Sequence, residues 1–120
     1  DVFDANSMSV DEVQLVPGEV NAGGPCFAMH EWLTEQIEKG GSYGFFRPYN
    51  TDNGAIAPEK WHLSYYPLAK DYQRIIKPEM LPEIWQESKI ELNSSLMTNI
   101  TSFWGDFVDL DFDGYPAWIA

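Results

Sequence analysis

Apolar residues recur at three- and four-residue spacing between positions 25 and 39, which is the pattern of one face of an α-helix. Phe27, Leu33 and Ile37 lie on this face together with His30. A proline at position 25 fits the first turn of a helix, and the pair Gly40-Gly41 ends the pattern. The spacing therefore predicts an amphipathic helix over 25–39.

Two short aromatic segments follow and have the composition of β-strands. The first is 43–46, Tyr-Gly-Phe-Phe, and the second is 61–66, Trp-His-Leu-Ser-Tyr-Tyr, which Pro67 closes. The segment between them is rich in Pro, Asn, Asp and Gly, as turns are. We expect two short strands joined by a long turn.

The rest of the chain divides into a long polar segment and a helical second half. Residues 4–24 are mostly polar or small and predict a loop, because Pro and Gly interrupt every apolar pattern there. Helices are predicted over 68–76, 79–92 and 93–104, with prolines at positions where helices begin. The tail 105–120 is acidic and aromatic.

The length, composition and charge of the chain exclude several classes of protein. The chain has 120 residues, 44% of them hydrophobic and 15% aromatic, and 19 acidic against 7 basic side chains give a net charge of −12. This composition predicts one globular domain over 1–120 and excludes an acidic disordered tail. Nucleic acid is disfavoured as a partner, because phosphates require clustered Lys and Arg. No apolar run is long enough for a transmembrane segment, and Cys26 among apolar neighbours predicts a buried thiol.

The two histidines differ in their surroundings. His30 lies within the predicted helix, and we interpret it as a residue of a helix face or core. His62 follows Glu59 by three positions, in Glu59-Lys60-Trp61-His62. Residues an odd number apart point to opposite faces of a strand, so these two side chains meet only if Glu59 lies in the turn before the strand.

The segments 44–49, Gly-Phe-Phe-Arg-Pro-Tyr, and 57–65, Ala-Pro-Glu-Lys-Trp-His-Leu-Ser-Tyr, closely resemble the second half of VanY-type D-alanyl-D-alanine carboxypeptidases. These enzymes belong to the LAS group of zinc peptidases. The metal site of that group combines an early H-x-x-G-x-A-x-D segment with a later E-x-W-H segment. Glu59 to His62 matches the second, and Asp1-Val2 resembles the end of the first. The resemblance covers residues 1–66 well and the remainder loosely.

The resemblance implies an α+β fold in which helix 25–39 packs on a small antiparallel sheet, as in the hedgehog and D-Ala-D-Ala-peptidase domains. It implies Asp1 and His62 as zinc ligands and Glu59 as the catalytic base. It also implies Zn²⁺ as cofactor, peptidoglycan stem peptides as substrate, and the bacterial envelope or periplasm as location, although the chain shows no signal segment. Trp61, Tyr65 and Tyr66 are candidates for the substrate pocket, with core packing as the alternative for each.

One part of the family pattern is not matched. The first His and a basic substrate-holding residue would fall before Asp1, so we expect this chain to be the C-terminal part of a longer zinc peptidase domain. Two ligands alone bind zinc weakly, and we expect the chain by itself to be inactive. An apolar face normally covered by the upstream segment would then be exposed or would pair with a second copy.

Two alternatives to a peptidase remain open from the residues. The chain could be a non-catalytic module on the same scaffold that binds peptidoglycan or a peptide, or a scaffold domain with no ligand.

The tail Asp109-Leu110-Asp111-Phe112-Asp113-Gly114 resembles the start of an EF-hand calcium loop. That loop requires Glu at its twelfth position, where this chain has Ala120, so a solvated acidic tail is favoured.

Overall fold

The fold was analysed in a computed structural model, which describes residues 1–109. Within this range the chain forms six α-helices and one two-stranded antiparallel sheet, so the fold is α+β. The helices are α1 Pro17–Val20, α2 Phe27–Glu38, α3 Tyr66–Ile75, α4 Leu81–Glu87, α5 Asn93–Thr98 and α6 Ile100–Phe107, and the strands are β1 Phe45–Phe46 and β2 Ser64–Tyr65. A 3₁₀ turn, Pro78–Met80, leads into α4.

The predicted helix over 25–39 is confirmed as α2, although it begins two residues later. The two predicted strands also pair, with Phe45 opposite Tyr65 and Phe46 opposite Ser64. Both strands are shorter than predicted. Tyr43 has a φ of 55° and is 90% exposed, so the prediction that the first strand begins at residue 43 was wrong.

The turn before β1 depends on Gly44, which has a φ of 93°. A Cβ atom at this position would lie 3.0 Å from Cδ of Pro67. The carbonyl of Gly44 accepts a hydrogen bond of 2.9 Å from the amide of Tyr66, where α3 begins. Gly44 therefore leaves room for the Pro67 ring at the point where the second aromatic segment changes from strand to helix.

The loop predicted over 4–24 contains one short helix, α1, and supplies part of the core. Val20 is buried and packs with Cys26 and Trp61, and the partly buried side chains around them are Phe3, Met8 and Leu15. The carboxylate of Glu19 holds the loop by accepting hydrogen bonds from two backbone amides, those of residues 14 and 15. The prediction of a buried thiol at Cys26 is confirmed, since this residue is 1% exposed.

Of the helices predicted in the second half, the one over 68–76 is confirmed as α3, which begins two residues earlier and ends one residue earlier. The other two differ from the prediction. The helix predicted over 79–92 ends at Glu87, and Lys89 and Leu92 both adopt positive φ values, of 50° and 59°. The helix predicted over 93–104 is divided into α5 and α6 at Asn99. Trp85 is the buried residue of this half and contacts the ring of Phe103 edge-on at 5.4 Å between centroids.

The buried core of the described residues is small. Among the described residues, the buried hydrophobic set consists of Val20, Cys26, Phe46, Trp61 and Trp85. The described residues include no helix that is both long and apolar enough to cross a membrane.

Candidate functional site

Asp1, Glu59 and His62 come together at one place on the surface. Nδ1 of His62 lies 3.5 Å from Oδ1 of Asp1 and 3.4 Å from Oε2 of Glu59. The three side chains are between one third and one half exposed, so the cluster is open to solvent and to a ligand. Two carboxylates and one imidazole nitrogen thus converge from positions almost 60 residues apart in the chain.

Backbone hydrogen bonds position the members of the cluster. The amide of Val2 donates to the carbonyl of Trp61 at 3.0 Å, which fixes Asp1 beside His62. The amide of His62 donates to the carbonyl of Glu59 at 3.2 Å, so Glu59–His62 forms a turn that leads into β2. This is the arrangement that the three-residue spacing requires if both side chains are to share one site.

The three pocket candidates each contact core or aromatic side chains. Trp61 is 8% exposed and packs in the core with Val20 and Cys26, beneath the turn. Tyr65 contacts the ring of Phe45 at 5.0 Å between centroids. The ring of Tyr66 lies edge-on to Phe46, and the ammonium group of Lys70 lies 5.3 Å from its centre. The structure thus gives all three a packing role.

Tyr49 is a neighbour of the site that the sequence did not indicate. Its ring lies edge-on to the imidazole of His62, with 4.8 Å between centroids, and its carbonyl accepts a hydrogen bond of 2.8 Å from the amide of Glu59. Burial raises the pKa of Tyr49, and the charge of Glu59 raises it further. Tyr49 therefore stays protonated and supports both the imidazole and the turn.

His30 is fully buried and lies beneath the site. Its Nδ1 is 3.3 Å from Nη2 of Arg47, which lets the neutral ring accept a hydrogen bond from the guanidinium group. Burial lowers the pKa of His30, and the charges of Arg47 and Lys60 lower it further. Nε2 has no hydrogen bond of good geometry, although the nearby backbone of Val2 partly opposes the lowering of the pKa.

The lowered pKa of His30 makes stability depend on pH. The unfolded chain binds a proton at His30 near the ordinary pKa of about 6.5, whereas the folded chain does so only at lower pH. Stability from this group is therefore complete above that value and decreases as the pH falls below it. Urea unfolding at pH 7 and 5.5 should show a larger loss of stability in wild type than in His30→Asn. Equal losses in the two proteins would contradict this assignment.

The distances between the donor atoms of the cluster can be compared with the distances between ligand atoms around a zinc ion. A tetrahedral zinc ion with bonds of about 2.0–2.1 Å holds two ligand atoms roughly 3.3–3.4 Å apart. The 3.5 Å between Asp1 Oδ1 and His62 Nδ1 fits this separation, and so does the distance from Glu59. Within residues 1–109, no group of three or more His, Cys, Asp or Glu side chains is arranged to hold a metal ion. The pairwise distances are thus those of two zinc ligands, whereas the described residues do not form a complete metal site.

Comparison with known proteins gives one similar sequence. The chain is 28% identical over 111 residues to an uncharacterized protein of Haemophilus influenzae, covering 90% of this chain and 82% of the relative. No protein-family model matches the chain, and no solved structure matches it. These comparisons establish a bacterial relative of similar length and leave the interpretation of the site to its geometry and to the resemblance of its motif.

The acidic tail that resembles the start of an EF-hand loop lies almost entirely outside the described structure. Apart from its first residue, Asp109, the pattern that ends at Gly114 lies outside the described residues. The preference for a solvated acidic tail over a calcium loop therefore stays a prediction.

Proposed function

We propose that this chain carries the later half of a zinc peptidase site of the D-alanyl-D-alanine carboxypeptidase type. The observation that carries the proposal is the convergence of Asp1, Glu59 and His62 on one exposed point. The E-x-W-H resemblance concerns only Glu59 to His62, and nothing in that motif requires Asp1 to lie beside it. The hedgehog-like fold belongs to the same proposal.

The three side chains would have different roles. Asp1 Oδ1 and His62 Nδ1 would hold the zinc ion, which supplies a Lewis acid and a water activated near neutral pH when it is bound. Glu59 would accept the proton of the attacking water at Oε2 and return it to the leaving amine. Tyr49, whose ring lies against the His62 imidazole, would keep that ring in place.

The two carboxylates are equivalent by distance, so their roles rest on the resemblance. Variants separate them. Asp1→Asn should weaken zinc binding, whereas Glu59→Gln should leave zinc bound, because only Asp1 is assigned as a ligand. The reverse order of zinc affinities in a chelator competition would exchange the two roles, and equal affinity in both variants and wild type would refute the site.

The substrate in this proposal is a peptidoglycan stem peptide ending in D-Ala-D-Ala, and the location is the bacterial envelope or periplasm. The third zinc ligand would come from a segment preceding Asp1. A direct test is the gene sequence upstream of Asp1: H-x-x-G-x-A is expected there, and any other sequence would remove the support for an active enzyme.

Glu59→Gln is the decisive variant for catalysis in the protein that includes those preceding residues. A general base contributes about 10²- to 10⁴-fold to a rate, so hydrolysis of a D-Ala-D-Ala peptide should fall at least about 100-fold. Zinc content should stay at the wild-type level. Glu35→Gln serves as the control, because Glu35 is exposed and pairs with Lys39 in α2. Wild-type turnover by Glu59→Gln would exclude Glu59 as the base.

An exposed apolar surface supports the proposal that a further segment or a second copy of the chain covers part of this structure. An apolar groove of about 450 Å³ lies between α2 and the segment around β1, and its lining includes Val2, Trp32, Ile37, Tyr43 and Phe45. Trp32 and Tyr43 are 57% and 90% exposed. A face of this kind is typical of a protein contact, and Val2 at its edge is adjacent to the candidate ligand Asp1.

The same exposed aromatic residues favour the second candidate function, a module that binds peptidoglycan or a peptide without catalysis. Titration with a D-Ala-D-Ala peptide separates the two functions. Binding that is independent of zinc and weakened by Trp32→Ala would support the binding module, whereas binding that needs zinc and His62 supports the peptidase site.

A further inference from the structure

Arg47 follows β1 directly and connects three parts of the structure. Its Nε donates to the carbonyl of Lys60 at 2.8 Å, and its Nη1 donates to Oγ1 of Thr34 at 2.8 Å. Its Nη2 lies 3.2 Å from the carbonyl of His30 and 3.3 Å from Nδ1 of that residue. One guanidinium group thus joins the Glu59–His62 turn to two successive turns of helix α2.

The contact with Lys60 concerns the candidate site because Lys60 lies inside the turn. The peptide groups on both sides are also held: Glu59 donates its amide to Tyr49, and the carbonyl of Trp61 accepts from Val2. The Arg47 bond fixes the peptide between these two points. Without it, the Lys60 carbonyl loses its guanidinium donor, and the turn can rotate between its two remaining anchors.

We propose that Arg47 is a positioning residue of the candidate site, which holds the Lys60 carbonyl to helix α2 and thereby sets Glu59 and His62 against Asp1. The proposal rests on the proposed function for the meaning of that geometry. Arg47 acts through the backbone. Its guanidinium group donates hydrogen bonds to Lys60, Thr34 and His30, so the carboxylates of Asp1 and Glu59 are available to a ligand.

Two substitutions of Arg47 separate the effect of the planar guanidinium group from the effect of its positive charge. A lysine keeps the positive charge but has a single ammonium group, which cannot contact the Lys60 carbonyl, Thr34 and His30 in the way that the planar fork does. A methionine keeps the apolar stem and loses both charge and donors. If the fork positions the turn, Arg47→Lys should be impaired, and Arg47→Met should be impaired more.

The test uses the full 120-residue chain and two readouts. The first is the nuclear Overhauser cross-peak between the rings of Tyr49 and His62, whose centroids are 4.8 Å apart, and it needs no metal. The second is zinc affinity by chelator competition. The matched control is Arg74→Gln, because Arg74 is exposed and pairs with Asp71 at 3.7 Å in α3.

We expect Arg47→Met to lose most of the Tyr49–His62 cross-peak intensity and to bind zinc about tenfold more weakly, the scale seen for residues that orient metal ligands. The cross-peaks between Trp85 and Phe103 should persist, since those rings pack in the other half of the chain. Arg74→Gln should match wild type in both readouts.

Each remaining outcome decides between defined alternatives. Arg47→Met with wild-type cross-peak intensity and zinc affinity within twofold would overturn the proposal. If Arg47→Met unfolds the chain, Arg47→Lys decides by the same cross-peak. If the wild-type chain binds no zinc, Asp1 and His62 do not hold zinc without the segment preceding Asp1, and the cross-peak alone decides whether Arg47 positions the turn.

Discussion

Replacing His62 with alanine is expected to lower the zinc affinity of the chain at least tenfold. His62 supplies the nitrogen atom on which both carboxylates converge, at 3.5 Å and 3.4 Å. Loss of a residue that merely orients a metal ligand already weakens binding about 10- to 100-fold, so loss of the ligand itself should weaken it at least as much. Competition with a chromophoric chelator near pH 7.5 measures the change.

An exposed residue of α2 provides the control for this experiment. Glu35 pairs with Lys39 at the surface, so Glu35→Gln should keep the zinc affinity of wild type. Equal zinc binding by His62→Ala and wild type would refute the ligand assignment. A loss in Glu35→Gln without a loss in His62→Ala would place the metal elsewhere.

Trp61→Ala is expected to have the largest effect on stability. Trp61 is 8% exposed and packs with Val20 and Cys26, and truncation of a buried Trp costs about 3–5 kcal/mol. That is a large part of the roughly 5–15 kcal/mol that stabilises a typical domain. Urea unfolding followed by far-ultraviolet circular dichroism measures the change without depending on tryptophan fluorescence.

A surface tryptophan in α2 offers the matched control for Trp61→Ala. Trp32 is 57% exposed, so Trp32→Ala should change the free energy of unfolding by less than about 0.5 kcal/mol. Trp61→Phe should fall between the two, since Phe fills part of the same space. A cost below about 1 kcal/mol for Trp61→Ala would show that the core lies elsewhere.

The sequence predicted those parts of the fold that depend on local patterns. The apolar period of α2 and its end at Gly40 are local signals, and so are the aromatic segments that pair as β1 and β2. The ends of the later helices were not predictable. Lys89 and Leu92 adopt positive φ values without being glycine or asparagine, and such backbone conformations leave no signature in residue type.

The residues of the candidate site likewise include some that the sequence predicted and some that it did not. The Glu59–His62 turn followed from strand geometry and the three-residue spacing, whereas the position of Asp1 beside it followed only from resemblance. Tyr49 and Arg47 were not predicted, because each holds the turn through a backbone group: a tyrosine carbonyl and the carbonyl of Lys60. Every residue has a carbonyl, so such partners cannot be found from side-chain patterns.

The most direct test of the proposed zinc site is a long-range ¹H–¹⁵N spectrum of the His30 and His62 rings during zinc titration of the protein that includes the residues preceding Asp1. The resonance of Nδ1 of His62 should move to that of a metal-bound nitrogen, because this atom faces both Asp1 and Glu59. The resonances of the buried His30 ring should stay in place. Zinc bound to Nε2 of His62 with the proton on Nδ1, or no change in the His62 ring, would contradict the proposed zinc site.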